Sequence, residues 1–512
     1  MSRRSFLRKT VSLLPLIRDK TANGASAFPS ANTIASAHTE NRIGIINILD
    51  FLSPADLIAG RFSLGIARAQ ETIHSQGGEI FIPPGTYLQK SETIEIYTHL
   101  IIRSNGANLH ISHGAPAPFR LTSCSFELSG LAISSEALDG ELTQLFSGES
   151  DQVDDIYLHN LEIESVGIKI ASPKSKNNPT IQHVHIEKIN WKGNYGNKFG
   201  SDKTNMVELR GIDGIWISRC AAHVVGIERF LKISRSCRKV HISENHFECR
   251  DTSIGKQAID LFSDTRDIYI SNNTFNLQEF TSAIEEKVGG GMSKGHSEPD
   301  AINVSNNNIS MWATPNHGIP ISFTGSWGLP NATLQFSKAL ISNNDIRLYN
   351  ETESDSPRTF INVRGFNFAQ ISGGSNWRDT RPSHSIAVEA SNCEEIQISN
   401  IWSNYGNIFI GTCRSHAGGE KYQSPPKRVQ IIGCMLSVDT DAALVKISGT
   451  GQTISLLAIY SNLLNSAASK TGKFLEIDDA HIETLLFSNN PTSQTTPSKI
   501  SYLNGASIKN FR

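Results

Sequence analysis

A short alternating strand pattern that ends near an asparagine recurs in the middle of the chain. Its copies occupy residues 240–247, 268–275 and 302–309. Each copy begins with apolar residues at alternate positions, which is typical of a β-strand with one buried face. The equivalent positions Ile242 and Ile270 are 28 residues apart, and the next step is 34 residues. A strand pattern with this period predicts a solenoid in which each repeat adds one coil.

The repeat extends over most of the chain, with a mean step of about 30 residues that suits one coil of a parallel β-helix. Asparagines stand three residues past four of the equivalent positions. Asparagine tolerates a left-handed turn, and its amide can form hydrogen bonds from coil to coil, so we interpret these four residues as structural. The asparagines are Asn245, Asn273, Asn307 and Asn344. The equivalent apolar positions are Leu158, Ile186, Ile217, Ile242, Ile270, Val304, Ile341, Ile371, Ile398, Ile431, Leu456 and Leu486.

The composition supports a folded chain and argues against two kinds of partner. With 38% hydrophobic and 19% charged residues, the chain can bury a large core. A formal net charge of −2 provides no basic field for general nucleic-acid binding. Because the sequence has no uninterrupted apolar stretch of 18 residues, we expect no ordinary membrane span.

The seven cysteines show no close metal-type pairing, and we interpret them as buried small hydrophobes.

An amphipathic helix followed by a strand is predicted near the N-terminus. Ser53 supplies an N-cap and Pro54 the first helical position of a helix over residues 54–76. Its apolar face, which begins at Ile58, follows helical spacing. A strand with a proline-glycine turn is predicted at residues 79–88.

The Leu-Asp-Phe segment at 49–51, the helix, and the Ile-Phe-Ile-Pro-Pro-Gly-Thr-Tyr segment at 80–87 resemble the N-terminal segment of the pectate-lyase-like proteins. These proteins are right-handed parallel β-helices that include bacterial polysaccharide-degrading enzymes and phage tailspikes. The resemblance implies an all-β, single-stranded, right-handed parallel β-helix with an N-terminal capping helix. A cap is also physically necessary, because an open coil leaves a strand edge unpaired and a core bare.

The leader segment resembles an export signal. Arg3 and Arg4 begin a sequence similar to a twin-arginine signal, and Ala25-Ser26-Ala27 offers a small-residue cleavage site. We therefore expect a periplasmic or secreted protein; the alternative is a basic N-terminus without a targeting role. The predicted segments are a leader at 1–40, a strand and capping helix at 41–79, the β-helix at 80–490 and a tail at 491–512.

Charged residues occupy outward positions of a second strand in each coil. Neighbouring strands of a parallel stack are about 4.8 Å apart, so outward side chains of successive coils face one another. We expect Lys232, Asp260, Glu285 and Lys287 to share one patch with an arginine on each side; otherwise the face is only a solvated surface with compensating charges. The predicted outward pairs are Glu208 and Arg210, Lys232 and Ser234, Asp260 and Phe262, Glu285 and Lys287, Ser322 and Thr324, Asn362 and Arg364, and Ala387 and Glu389.

Two long segments, 288–301 and 312–330, are expected to rise beside this patch and shape a binding surface. They contain His296, Trp312 and Trp327, which we take as candidates for substrate binding, because an indole can stack on a sugar ring. Other aromatic candidates in or beside loops are Trp191, Tyr195 and Trp377.

The leading hypothesis is a lyase that cleaves a uronate-containing polysaccharide by β-elimination. This reaction needs a cation that neutralises the sugar carboxylate and a base that removes the C5 proton. Lys232 or Lys287 is the expected base, and Arg210 or Arg364 is the expected carboxylate clamp.

Calcium is the cofactor that fits this hypothesis, because Ca²⁺ takes hard oxygen ligands and can bridge to a sugar carboxylate. The candidate ligands are Asp260, Glu285 and Glu286. Strict alternation places Glu286 inside the coil, so we expect either a bulge there or Glu286 in place of Glu285.

Two other classes of function stay open. Asp260 and Glu285 could serve as the carboxylate pair of a glycoside hydrolase. The paired aspartates of the polygalacturonases are absent from the comparable segment 255–260, which disfavours that subfamily. A non-catalytic β-helix that only binds glycan is the third class.

Overall fold

The computed structural model describes the chain between Ile43 and Arg512 with gaps. Residues 1–42, which include the predicted leader, lie outside the described residues. The described ranges are 43–73, 77–136, 142–173, 179–195, 205–250, 255–262, 265–287, 301–312, 318–324, 338–349, 358–379, 385–411, 426–437, 443–464, 473–488, 490 and 499–512.

Three stacks of parallel strands run along these residues, and a complete coil contributes one strand to each stack. Thirty-eight strands form one continuous hydrogen-bonded sheet, and the pairings between successive coils are parallel. A separate two-stranded parallel sheet joins Ile94–Ile96 to Phe119–Leu121. The predicted parallel β-helix is therefore confirmed.

Stack A consists of Thr143–Gln144, Val166–Ala171, Asn205–Arg210, Arg229–Ser234, Gly255–Phe262, Phe280–Lys287, Ile321–Phe323, Arg358–Arg364, Ser385–Ser391, Asn407–Gly411, the first parts of Val445–Tyr460 and Lys473–Ser488, and Lys499–Leu503. Stack B consists of Ile43–Asn47, Gly78–Ile82, the first parts of Leu100–Ile111, Phe126–Ser135, Val153–Glu164 and Ile181–Asn194, then Ile212–Ser218, Val240–Ser243, Ile268–Ser271, Ala301–Ser305, Lys338–Ser342, Phe368–Ser372, Glu395–Ser399, Arg428–Ile432, the last parts of Val445–Tyr460 and Lys473–Ser488, and Ser507–Phe511. Stack C consists of Gly85–Gln89, the last parts of the four long strands that begin in stack B, then Ala221–Val225, His246–Arg250, Thr274–Gln278, Asn308–Trp312, Asp345–Tyr349, Ser375–Arg378, Trp402–Ser403, Met435–Leu436 and Leu463–Leu464.

The apolar positions assigned from the sequence pair in one line along stack B, but the last two assignments are wrong. From Leu158 to Ile431 each pairs with the next, as predicted. Ile431 then pairs with Ile459 and not with Leu456, and Ile459 pairs with Phe487 and not with Leu486. Residues 456–459 are all apolar, so alternation does not reveal which of them face the core.

The asparagine ladder is confirmed, although the left-handed residue is not the ladder asparagine itself. Asn273 is 1% exposed and accepts hydrogen bonds at its Oδ1 from the backbone N–H and the side-chain amide of Asn245, at 3.0 and 2.9 Å. Its own amide donates to the Ile242 carbonyl at 3.0 Å. The positive φ belongs to the preceding residue, as at Glu244 and Asn272. The ladder thus satisfies buried backbone groups at the turn from stack B to stack C.

The N-terminal cap consists of two helices and not the single helix predicted. α1, Pro54–Ala59, has the predicted N-cap at Ser53, and α2 spans Phe62–Ile73. Gly60 separates them in a left-handed conformation with φ of +70°. Because of this break, Ile58 is 83% exposed instead of joining the apolar face. The buried face of α2 packs into the core of the β-helix.

Paired strands extend beyond the predicted range of 80–490. Ile43–Asn47 pairs with Gly78–Ile82 at one end. At the other end, Lys499–Leu503 and Ser507–Phe511 both pair with Lys473–Ser488, so residues 499–512 belong largely to the sheet.

The cysteine interpretation also holds where it can be examined. Six of the seven cysteines belong to the described residues, and all six are buried. Among the described residues, no helix combines the length and the apolar character needed to cross a bilayer.

Candidate functional site

Strand pairing in stack A aligns seven outward residues into one line, which we call the charged column. In coil order these are Glu208, Lys232, Asp260, Glu285, Ser322, Asn362 and Glu389. The column agrees with the sequence prediction except at its last member. Asn362 pairs with Glu389, whereas the sequence alignment had placed Ala387 there. Ala387 is fully buried.

Glu208 is the centre of a cluster of cations at one end of the column. Its carboxylate is 5% exposed, and Arg210 forms a direct ion pair with it. The Nζ atoms of Lys169 and Lys232 lie 3.5 and 3.8 Å from its two oxygens. Three basic side chains therefore surround one carboxylate. Coulombic attraction to an anion is stronger here than at an open surface, because the Lys232 side chain is only 12% exposed.

Asp260 belongs to a second, electrically balanced network that the sequence analysis missed. Arg229 Nε lies 2.9 Å from Asp260 Oδ2, and Arg229 Nη1 lies 3.2 Å from Glu228 Oε2. Lys256 Nζ lies 3.2 Å from the other oxygen of Glu228. Arg229, Asp260 and Glu228 are all buried. One sequence signal could have revealed this network. Arg229 and Gln257 each stand three residues before a residue of the charged column, in consecutive coils, and a hydrogen bond joins their side chains.

The two neighbouring glutamates of the next coil face opposite sides. Glu285 stands opposite Asp260 on the outer face and accepts a hydrogen bond from Ser282 Oγ at 2.9 Å. Glu286 shares its register row with the buried Leu261, is itself 7% exposed and accepts the Thr324 backbone N–H at 3.1 Å. The strand pairing continues through both residues without a bulge. The predicted trio of calcium ligands is therefore divided, and Glu286 does not replace Glu285.

Arg364 lies on the outer face of stack A but not beside Lys232. It donates hydrogen bonds to Glu389 Oε1 at 2.7 Å and to Asn362 Oδ1 at 2.9 Å. Four coil steps separate the Lys232 strand from the Arg364 strand, which corresponds to about 19 Å. Arg210 is thus the arginine that lies next to Lys232, and Arg364 would contact a different part of an extended ligand.

The aromatic candidates among the described residues lie away from the charged column. Trp312 belongs to stack C, where it stacks on Tyr349 with ring centroids 4.8 Å apart, and Tyr349 contacts Trp377 at 5.3 Å. Trp191 and Tyr195 are buried in the core and cannot reach a ligand.

The side chains of three candidates lie outside the described part of the structure. His296 and Trp327 lie outside the described residues, as does most of the two long segments. The backbone of Lys287 pairs with Phe262, which puts it in the row next to the charged column, but its side chain lies outside the described part of the chain.

No model of a known protein family matches this chain, and no curated protein matches it. Three solved structures are similar in fold. The A-modules of the mannuronan C-5 epimerases AlgE6 and AlgE4 from Azotobacter vinelandii are each 11% identical and align with 90% of this chain and with 99% and 100% of theirs, at TM-scores of 0.31 and 0.30. The family 28 exopolygalacturonase of Yersinia enterocolitica is 11% identical over 92% of this chain and 79% of its own, with a TM-score of 0.27. The strand pairings establish a parallel β-helix. Similarity this distant does not assign a reaction, which must come from the residues of this chain.

Proposed function

We propose that this chain cleaves a uronate-containing polysaccharide by β-elimination on the outer face of stack A. The observation that carries the proposal is the cluster of three basic side chains around Glu208, at one end of the charged column. A uronate presents one carboxylate for each sugar, and a guanidinium next to an ammonium is suited to bind it. A polymer that crosses several coils can also reach Arg364, which a single sugar bound at Lys232 cannot.

The roles follow from the positions along the column. Arg210 and Lys169 bind the sugar carboxylate, and the neutralised carboxylate makes its C5 proton more acidic. Lys232, as the neutral amine, takes that proton and becomes an ammonium, with Lys287 as the alternative base. The electrons of the C5–H bond form the C4–C5 double bond while the glycosidic oxygen leaves and takes up a proton from water. Asp260, which Arg229 holds in place, contacts the neighbouring sugar.

Calcium stays a proposal for Asp260 and Glu285 only. Both offer oxygen ligands on the outer face, but the guanidinium of Arg229, 2.9 Å from Asp260, opposes a second cation there. Glu286 faces the other side and is not part of this proposal. None of the roles above depends on a metal.

Glycoside hydrolysis is the second candidate, and one observation favours it. Asp260 and Glu285 stand directly opposite each other on adjacent coils, with Arg229 beside one carboxylate and a Ser282 hydroxyl beside the other. Two carboxyl groups in different environments are what an acid and a nucleophile or base require.

An acidic polysaccharide of this kind is met outside the cytoplasm, so the proposal includes export through the twin-arginine signal at Arg3 and Arg4. Replacement of both arginines by lysine should keep the protein in the cytoplasm. Cell fractionation of the two forms measures this, and equal export of both would remove the signal from the proposal.

The test is incubation of the full chain with a panel of acidic and neutral polysaccharides, with and without a chelator. β-Elimination gives unsaturated oligosaccharides that absorb in the ultraviolet and have not gained water, whereas hydrolysis gives products that have gained one water. Unsaturated products from an acidic glycan are expected. Saturated products would support the second candidate, and binding without products would support a glycan-binding protein; either result contradicts the lyase.

A further inference from the structure

Two histidines and a glutamate converge on the outer face of stack C, on residues that the proposed reaction does not use. His223 pairs directly with Glu248 of the next coil, and His246 precedes Glu248 by two residues on the same strand. His223 Nδ1 lies 3.1 Å and His246 Nε2 3.6 Å from the same oxygen, Glu248 Oε2. One ligand atom from each of the three side chains can be chosen so that all lie within 4.8 Å of one another.

These separations are close to those of a metal centre. A tetrahedral ion with bonds of about 2.0 to 2.1 Å holds its ligand atoms about 3.3 Å apart. The two distances from imidazole nitrogen to carboxylate oxygen already have nearly this length. The distance between the two imidazole nitrogens can shorten when one ring turns. Such a rotation is open to the histidines, whose side chains are 52% and 36% exposed.

The carboxylate is held in the orientation that a metal needs. Arg250 forms an ion pair with Glu248 Oε1, which leaves Oε2 for the two imidazoles. The Glu248 side chain is 16% exposed, so it is the fixed member of the three. A hydrogen-bonded partner on the outer oxygen orients a metal-binding carboxylate. The charge of the Arg250 guanidinium opposes the ion, as that of Arg229 does at Asp260, but Arg250 is 80% exposed and solvent screens it. Lys192, the residue paired with His223 on the other side, lies 3.5 Å from Glu162, which offsets its charge.

We propose that His223, His246 and Glu248 bind a divalent transition-metal ion of the Zn²⁺ class. Two imidazole nitrogens and one carboxylate oxygen suit zinc and its neighbours in the first transition row, whereas Ca²⁺ takes oxygen ligands. Each imidazole binds the ion through a nitrogen without a proton, so a neutral imidazole carries its proton on the other nitrogen and a protonated one releases a proton to solvent. Three protein ligands leave the fourth position to water.

Such an ion would join two successive coils through their side chains. Because His223 comes from one coil and His246 and Glu248 from the next, the native state binds the ion and the unfolded chain does not hold the three ligands together. Bound metal therefore stabilises the native state in proportion to the logarithm of its concentration above the dissociation constant.

The test uses the full chain, stripped of metal with a chelator and dialysed, and then titrated with Zn²⁺ by calorimetry and with Co²⁺ by visible absorption. We expect one Co²⁺ site whose absorption shows nitrogen and oxygen ligands, together with a rise in the melting temperature on addition of Zn²⁺. His223→Ala and His246→Ala should each weaken this site at least tenfold, and Glu248→Gln should do the same with little change in size.

The matched control is His183→Ala, which removes a histidine paired with a carboxylate in the same way, Asp155 at 2.8 Å, but in stack B. It should leave the site unchanged, and far-ultraviolet circular dichroism checks that every variant is folded. Zn²⁺ binding that survives all three ligand substitutions in folded protein, or that the control removes equally, would overturn the proposal. Absence of any Zn²⁺ or Co²⁺ binding by the native chain would overturn it as well.

Discussion

The charged side chains around Asp260 differ from ordinary surface charges in how little solvent reaches them. Asp260, Glu208 and Arg229 are 4%, 4% and 8% exposed, although the first two stand on the outer face of the coil. A charge with so little solvation depends on its partner, because removal of one partner leaves the other desolvated and uncompensated. The same atoms therefore determine both the electrostatics of the candidate site and part of the local stability.

Arg229→Met should destabilise the protein by about 3 to 5 kcal/mol, because it leaves Asp260 buried without the guanidinium. The free energy of unfolding in denaturant measures this, and the double variant Arg229→Met with Asp260→Asn should recover part of the loss. The matched control is Arg428→Met, because Arg428 pairs with Glu395 at 3.3 Å on an exposed surface, where a loss within about 1 kcal/mol is expected. Equal stability of the two single variants would contradict the buried network.

A second residue-scale effect belongs to His185 on the outer face of stack B. Its ring stacks on Trp216 with centroids 4.6 Å apart. Burial lowers the pKa of His185 to about 4 from the ordinary histidine value of 6.5. Between these two values the unfolded chain binds a proton that the folded chain does not, so this residue's contribution to stability is complete above pH 6.5 and is lost as the pH falls toward 4.

We therefore predict that His185→Phe, which keeps an aromatic ring in the stack, makes the protein less sensitive to acid. The wild type should lose about 2 kcal/mol more than the variant between pH 7 and pH 5, as the two pKa values imply. Denaturant unfolding at the two pH values measures the difference. The carboxylates and His183 are present in both proteins, so their pH dependence cancels in the comparison. The same loss in both would show that His185 is not held neutral.

At the scale of elements, the asparagine ladder fixes the turn between stacks B and C. It stops after Asn344, where the next coil has Gly374 with φ of +88°. A Cβ at Gly374 would lie 2.2 Å from the Asn344 carbonyl oxygen, so no other residue fits there without movement. The ladder resumes at Asn462, whose amide donates to the Asn490 side chain at 3.1 Å. The backbone therefore follows the same path through this turn even where the hydrogen bonds between asparagine side chains are interrupted.

Asn273→Ala should cost about 2 to 4 kcal/mol, because buried amide and carbonyl groups of the two neighbouring coils lose their partner together. Thermal unfolding compares it with Asn276→Ala, a substitution on the outer face of the same stack-C strand, for which a change within about 0.5 kcal/mol is expected. A loss at Asn273 no greater than at Asn276 would remove the ladder from the account of stability.

The sequence predicts elements well where alternation is clean and fails where it is interrupted. Strands such as Val240–Ser243 alternate strictly, so their register and that of the charged column could be predicted. Residues 456–459 do not alternate, and the resulting slip concealed Asn462 and Asn490, which stand three residues past the true positions. Arg229 was missed for a related reason, because it precedes the alternating part of its strand. The helix break at Gly60 depends on how the chain packs beyond it, which local spacing does not record.

At the scale of the whole molecule, one apolar interior serves every coil, so the outer faces are free to carry chemistry. Stack A carries the charged column and stack C the two histidines and the glutamate. In a solenoid each coil contacts mainly its neighbours, so a substitution on one outer face should leave the others folded. Activity and metal binding can therefore be tested independently of each other.

The most direct measurement of the central claim is turnover of the acidic polysaccharide identified by the panel, compared among Lys232→Ala, Arg210→Ala and Lys239→Ala. Lys239 is a matched control, because it pairs with Asp213 at 2.9 Å on stack B, away from the charged column. Loss of the base at Lys232 should lower turnover about a hundredfold or more, and loss of Arg210 should weaken turnover and substrate binding, while Lys239→Ala keeps wild-type activity. Wild-type turnover in the folded Lys232 and Arg210 variants would contradict the placement of the active site on stack A.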